Sequence, residues 1–536
     1  MPRLVRQFCV APGAADAAAE PRSHPVAERL LKSPDHAANA GGEWTFVAAA
    51  GPVGQYRRRT TIVSHPADTA DTGARVIDVI EVVEWRSVIP FFGWVFAPAL
   101  RRAISRHPGG DNRPWWSPVS PLDEHAARLL GALMLLAGLV GYLGSLVTTT
   151  VTYAAREFGV SIDSANGARS QGGALALIRA DILLTLPLVA MADRIGRRRV
   201  LLWCSVLGTA LTAVCGLMPG IWSFAAMQVF ARGFVTAAAT LIAVVGVEEM
   251  PAGARGWVSS VLVACAAVGS ALTLALNVAA DSNVRAWRVA FFVPLIVLFA
   301  MPKVARIVPE TTRFLARTSD QTQQTQKHAG HKARALDRRL ARRLLLMLFG
   351  SFLLNLAANP ATQFQSEFLR TQRFFSAPRV SLFVLATNAP GAFGVLVGGL
   401  LADKRSRRRI VGIGLIVHGA TNMLLFSSRG ASMWTWSILG ALIGAAALPG
   451  WAIYGSELFP TAVRARVNGS LQVAGRAGGA LGLWLIGRHA GGGNLGRALS
   501  IIAIGELLTA VLVLTRYPET AGRELEHLSD SAPAPG

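Results

Sequence analysis

Apolar stretches of about twenty residues recur a dozen times along this chain, and each is long enough, at ~1.5 Å per residue, to cross a ~30 Å hydrocarbon layer as a helix. The stretches are read at residues 129–151, 171–192, 200–218, 222–247, 257–280, 287–308, 342–362, 379–402, 409–428, 433–456, 467–487 and 497–516. Lipid offers backbone N–H and C=O groups no partner, so each segment must satisfy its own and fold as a helix. The expected fold is therefore an all-α membrane protein of twelve transmembrane helices, numbered here as spans 1 to 12. The even number puts both termini on one side.

The formal charge of +22 could suggest a nucleic-acid partner, but the basic residues lie between spans. Arg194, Arg197, Arg198 and Arg199 follow span 2, and Lys404, Arg405, Arg407, Arg408 and Arg409 follow span 8. The connection between spans 6 and 7 carries Arg313, Arg317, Lys327, Lys332, Arg334, Arg338, Arg339, Arg342 and Arg343. All three groups fall on one face of the twelve-span arrangement, while the opposite connections at 281–286 and 428–432 carry little charge. The positive-inside rule makes the basic face cytoplasmic, places the chain in the plasma (inner) membrane with both termini cytoplasmic, and argues against nucleic acid.

An internal repeat orders the spans. MADRIGRRR at 191–199 recurs as LADKRSRRR at 401–409, 210 residues on. Glu248, Pro251 and Arg255 recur as Glu457, Pro460 and Arg464, and Pro309, Glu310 and Thr311 as Pro518, Glu519 and Thr520, each 209 residues on. Three motif pairs in one order at one spacing mark two six-helix bundles of the parallel-repeat kind. The expected division is an amino-terminal region at 1–126, bundles at 127–308 and 342–516, a basic connection at 309–341 and a tail at 517–536. Within 1–126, residues 1–42 are Ala-, Pro- and charge-rich and read as disordered. Residues 43–110 read as a small cytoplasmic α+β module, with strands at Trp44–Ala49 and Arg75–Trp85. The segment 89–104 reads either as an interfacial helix or as a buried helix of that module. Trp115 and Trp116 suit an aromatic belt before span 1.

These motifs resemble those of the major facilitator superfamily. MADRIGRRR is similar to its loop between spans 2 and 3, with Val189 in place of the leading Gly, and GLLADK from Gly399 is similar to the second copy. IYGSELFPTAVRARVNG at 453–469, VPETTRFLA at 308–316 and YPETAGRELE at 517–526 resemble the branch of sugar porters, metabolite-proton symporters and organic-ion transporters. The resemblance covers about 127–525 and implies the major facilitator fold, alternating access and no enzymatic activity. A cytoplasmic gate is read from Asp193, Arg194, Gly196, Arg197, Glu248, Arg255, Asp403, Arg407, Glu457 and Arg464. Their carboxylates and guanidiniums can bond helix ends when one face is closed and must release them when the halves rock; the plainer reading is arginine anchoring and surface ion pairs.

Charge near the bilayer centre costs ~3 kcal/mol or more and normally faces a cavity or a partner. Asp181, twelve residues before Asp193, falls near the middle of span 2, and Arg232 at similar depth in span 4. Asp181 is read as the titrating group and Arg232 as its partner or as a contact for an anionic solute group; a structural ion pair is the alternative. The resemblance supports Arg232, although Thr236 and Ala238 stand where relatives have glycines. No carboxylate occurs in residues 131–152, where proton-coupled relatives carry an acid. Arg476 in span 11 and Glu506 in span 12 are opposite in charge and first read as a pair. Asn355, Asn359 and Gln363 beside Pro360, with Trp451 and Tyr454 near Pro449, are candidates to line a solute cavity or to pack. Glycines in spans 8 and 11 suit close helix packing.

None of the five lysines follows a glycine, so no P-loop exists, and no His pair, Cys cluster or nucleophile elbow suggests an enzyme. No cofactor or metal is expected. The expected activity is secondary transport of a small polar organic solute (a sugar, organic acid or organic ion) with protons, by a monomer in a lipid bilayer. The alternatives are an exporter of the same fold, or a solute sensor signalling through the amino-terminal module.

Overall fold

The structure is a computed structural model that describes residues 3–10, 20–22, 26–32, 42–66, 75–105, 118, 120–160, 162, 164–251, 254–276, 283–311, 338–404, 406–457, 459, 461–490 and 494–517. Trp115, Trp116, the basic connection at 312–337 and the tail beyond Tyr517 lie outside the described residues.

Every expected span is met by a helix. Span 1 is Glu124–Glu157, its amino end capped by the Asp123 carboxylate accepting from Ala126 N–H at 2.6 Å. Span 2 is Ala165–Ile195 and span 3 Arg197–Cys215, followed by span 4 at Ile221–Glu248 and span 5 at Arg255–Leu276. Span 6 is bent by 47° between Ala286–Leu298 and Met301–Ile307. Spans 7 to 12 are Arg338–Thr371, Ala377–Lys404, Arg407–Ser427, Ala431–Glu457, Thr461–His489 and Leu495–Arg516. Among the described residues nine helices, or ten with the bent pair taken as one, are long and apolar enough to cross a membrane.

Glycines let these helices approach closely. A Cβ on Gly478 or Gly482 of span 11 would strike the span 7 carbonyls of Phe352 or Leu356, and one on Gly394 or Gly398 of span 8 the span 10 carbonyls of Leu442 or Ala446. Without a hydrophobic drive between helices in lipid, such backbone contact supplies much of the cohesion.

The apolar core divides unevenly. At the end away from the arginine clusters one cluster joins Leu146, Phe224 and Trp287 of the first bundle to Phe364, Phe383 and Leu483 of the second. Toward the arginine clusters the core splits into a first-bundle part with Leu133, Leu241 and Val304 and a second-bundle part with Met347, Val411 and Val513. At the fused end Ser381 Oγ donates to the Leu274 carbonyl at 2.8 Å, and the Arg370 guanidinium lies 4.9 Å from the centre of the Tyr153 ring. The two bundles thus meet at one end and part at the other.

The amino-terminal region corrects one expectation. Residues 3–10 and 27–32, within the stretch read as disordered, are strands β1 (Arg3–Val10) and β2 (Ala27–Lys32). With β3 (Gly42–Ala50), β4 (Val53–Pro66) and β5 (Arg75–Ser87) they form one antiparallel sheet in the order β1-β5-β4-β3-β2. Partners far along the chain supply the hydrogen bonds that local composition does not reveal. The buried face alternates along β4 and β5, with Tyr56, Arg58, Thr60 and Ile62 beside Val79, Glu81, Val83 and Trp85.

That face holds charge. Arg58 and Glu81 are fully buried; Arg58 Nη2 lies 2.7 Å from Glu28 and its Nη1 3.1 Å from Glu81. Arg22 meets Glu81 at 2.8 Å and Arg6 also pairs with it. Arg22 and Arg6 further donate to the carbonyls of Ile104 and Ser105, tying the sheet to the end of helix α1 (Gly93–Ile104). Leu100 and Ile104 of α1 are buried against the sheet while Trp94 is 75% exposed, so the helix belongs to the module and keeps one aromatic outside it. The segment before α1 and the first turn of α1 dock on the first bundle: Pro90 lies against Gly131, Phe91 under Lys303 at 5.0 Å, and Phe96 of α1 near Trp257 at 6.5 Å.

Burial would raise the Glu81 pKa, but Arg22, Arg6 and Arg58 together outweigh it and hold the carboxyl below its usual range. A depressed carboxylate contributes stability above its unfolded pKa and loses it as pH falls through the folded value. Glu81→Ala, which strands three arginines, is expected to cost about 3–5 kcal/mol. Hydrogen exchange in β4 and β5 of the full-length chain should rise in that variant at neutral pH, and in the unaltered chain only below about pH 4.

Candidate functional site

Span 2 is broken where the sequence places charge. A 3-10 turn at Arg179–Asp181 separates Ala165–Ile178 from Ile182–Ile195, and both Arg179 and Asp181 are buried. Asp181 is the hub. Its Oδ2 lies 3.9 Å from Arg232 Nε of span 4 and 3.4 Å from Arg476 Nη2 of span 11, and it accepts from Thr236 Oγ1 at 3.3 Å. Arg232 also donates to the Gly144 carbonyl of span 1 at 3.0 Å. Arg179 is buried on the adjoining turn. One carboxylate therefore faces two guanidiniums, and one of these comes from the opposite bundle.

Arg476 opens onto a cavity of about 500 Å3 toward the arginine-cluster end, where the two cores part. Its wall includes Ser351, Asn355, Trp451, Asn468 and Gln472. Asn355 and Asn359 continue a polar ladder along span 7, with Asn359 Nδ2 donating to Asn355 Oδ1 at 2.9 Å and Asn355 Nδ2 to the Ser351 carbonyl at 2.9 Å. Gly475 and Gly479 of span 11 leave room for these amides. Trp451 stacks on Tyr517 at 6.1 Å, forming an aromatic floor. Asn355 and Trp451 thus line the cavity, whereas Asn359 packs behind Asn355 and the buried Gln363 lies away from it.

The expected Arg476–Glu506 pair does not form. Arg476 turns to Asp181, and Glu506 instead meets His418 Nδ1 of span 9 at 2.6 Å. Opposite charge and equal depth said nothing about which way each helix faces. Asn468, Gln472, Ser351 and Tyr517 escaped sequence reading because polar residues at helix ends are common; His418 escaped as a single histidine in an apolar run.

Of the first-bundle residues expected to form a gate, Arg197 pairs with Asp193 at 3.1 Å and with Glu248. Arg255, expected beside Glu248, donates its Nε–H to the Met250 carbonyl at 3.2 Å, because span 5 begins by turning back on that loop. Glu310, read only as part of the repeat, accepts from the backbone N–H groups of Arg197 and Arg198 at 2.8 and 3.2 Å and so caps span 3. Gly196 permits this with a φ of +109° and no Cβ to strike that carboxylate. Arg194 is exposed and Arg407 is buried beside Gly450. The side chains of Asp403, Tyr454, Glu457 and Arg464 lie outside the described residues.

A helical array with an internal repeat, in which buried charge joins the two halves beside a cavity lined by residues of the second, has the build of a membrane transporter. The sequence model of the Major Facilitator Superfamily matches residues 133–483, and the chain belongs to that superfamily. By family it is an integral membrane transporter and not an enzyme. The chain is 25% identical over 360 residues to the cis,cis-muconate transport protein of Acinetobacter baylyi, covering 63% of this chain and 85% of that protein. Among solved structures it is similar to the inward open conformation of the xylose transporter XylE of E. coli, with a TM-score of 0.59 and 18% identity over 75% of this chain and 99% of that one. The nucleoside transporter NupG matches with a TM-score of 0.55 and 14% identity over 73% and 100% of the two chains.

Gly196→Ala is expected to destabilise the chain by about 1–3 kcal/mol through a strained φ and pressure on Glu310. The thermal midpoint of purified protein should fall, and Glu310→Gln, which weakens the cap but keeps its shape, should lower it less.

Proposed function

We propose that this chain is a proton-coupled carrier of a small organic anion, working by alternating access in the plasma (inner) membrane with its arginine-cluster face and both termini cytoplasmic. The reading rests on the Asp181 hub, where one buried carboxylate is held by arginines from both bundles and leaves positive charge in excess. In a low-dielectric site that excess favours an anion strongly and disfavours a cation.

Arg476 carries the coupling between halves. A solute carboxylate entering the cavity competes with Asp181 for Arg476 and Arg232, as bidentate guanidinium–carboxylate bonding favours. Protonation of Asp181 releases both arginines to the solute and weakens its hold on span 11, letting the bundles rock. Asn355, Gln472 and Trp451 supply polar and aromatic contacts along the solute, in a volume that suits a small organic acid. Arg197, Asp193 and Glu248 hold the ends of spans 2, 3 and 4 together as the first-bundle part of the gate. The muconate transport function of the relative named above, a dicarboxylate carrier, supports an acidic solute over a sugar or cation.

Uptake into proteoliposomes with an imposed pH gradient tests this. Labelled cis,cis-muconate should accumulate while xylose and choline do not. Asp181→Asn should abolish gradient-driven accumulation but permit exchange, and Arg476→Gln should raise KM by about tenfold or more, the cost of losing a charge-assisted contact. Transport of xylose or choline without muconate would overturn the anion reading. Accumulation without a pH gradient would overturn the coupling.

A further inference from the structure

Glu506 sits at mid-depth in span 12 and is wholly buried, away from the Asp181 hub. Its Oε2 lies 2.6 Å from His418 Nδ1, at the middle of span 9, and its Oε1 accepts from Asn422 Nδ2 at 3.3 Å. Beside the imidazole a crevice of about 110 Å3 opens between spans 7, 8, 9 and 10, lined by Thr362, Gln365, Asn388, Asn422 and Ser437. These neighbours are polar and none titrates.

The same places in the first bundle show that the fold does not require this pair. By the repeat offsets His418 corresponds to Gly208, Gly444 to Val235 and Glu506 to Val297. In the first bundle Val235 fills the space over Gly208; in the second the imidazole fills the space over Gly444. Large and small have been exchanged across one helix contact, and the large group is ionisable. An apolar pair satisfies the packing, so the dyad's burial cost is borne for something other than shape.

We propose that His418 and Glu506 form a second proton-binding site, reached through the crevice and separate from the Asp181 hub. The proton comes from bulk water and is held between Nδ1 and Oε2, where the imidazole or the carboxyl carries it, and it returns to bulk water. Occupied, the dyad is neutral; empty, it bears one negative charge. Among the described residues His418 is the one cationic side chain within ion-pair distance of Glu506. Among the described residues spans 7, 8 and 10 present no charge to the crevice: Arg370 turns to Tyr153, Arg373 donates to the carbonyls of Phe426 and Ser428, and Glu367 does not line it. A change of one charge against otherwise uncharged walls moves spans 9 and 12 between two electrostatic states.

Nuclear magnetic resonance of imidazole-labelled full-length protein in lipid nanodiscs, with the His418 signal assigned through His418→Gln, follows the site without any solute. The His418 signal should titrate, with a midpoint that moves by at least about one pH unit in Glu506→Gln and stays in place in Asp181→Asn. If Glu506→Gln does not fold, Glu506→Asp, which shortens the reach, should move the midpoint in its place. A His418 that does not titrate, or titrates indifferently to residue 506, overturns the proposal. Its role in transport rests on the carrier reading above and has its own measurement. Glu506→Gln should keep muconate exchange within about twofold of the unaltered chain yet lose accumulation driven by the pH gradient. Wild-type vesicles that do not move muconate would count against the carrier reading while leaving the titration result to stand or fall alone.

Discussion

A charge at the middle of a bilayer has no water to answer it, and its partners must come from other helices. Asp181 finds two, one from its own bundle and one from the other. That ion pair is the only one of the buried intramembrane contacts named above to cross between halves at mid-depth. It lies between a fused core and a split core, and Arg476 also lines the cavity. Breaking such a pair without replacement is costly, and replacing Asp181 by a solute carboxylate or neutralising it with a proton lowers that cost. In the carrier proposed above, solute, proton and rocking are linked through that one carboxylate.

The repeat supplies the scaffold and the departures from it supply the chemistry. Asp181, Arg232 and Arg476 correspond to Gly391, Ala441 and Ala267 in the opposite bundle, all small and uncharged. His418 and Glu506 correspond to Gly208 and Val297. Two bundles with common packing can therefore carry different burdens. Gly478 of span 11 has its counterpart in Gly269 of span 5, which meets the Gly138 carbonyl of span 1, so that close contact belongs to the shared scaffold, and the ionisable groups sit where the other half carries an uncharged residue.

The amino-terminal sheet follows a different physics. Its buried face pairs Arg58, Glu28 and Glu81 in one network, with two more arginines reaching the end of α1. Such a network is weak evidence for stability by itself, but it fixes the helix against the sheet. Through Pro90, Phe91 and Phe96 the module rides on the first bundle, the one that contributes Asp181.

Sequence alone determined the spans, the two-bundle repeat, the basic face and the family resemblance, because run length and spacing are properties of a line of residues. It also singled out Asp181 and Arg232, since a charge inside an apolar run is conspicuous wherever it faces. It did not decide which charges meet. Arg476 and Glu506 have matching depth and opposite sign, yet helix rotation sends one to Asp181 and the other to His418. Nor did it reveal β1 and β2, whose hydrogen-bond partners lie on strands up to some eighty residues away, or the cap that Glu310 places on span 3 across 113 residues. Rotation about a helix axis and pairing between distant strands are settled only when the elements pack, and tertiary structure alone records them.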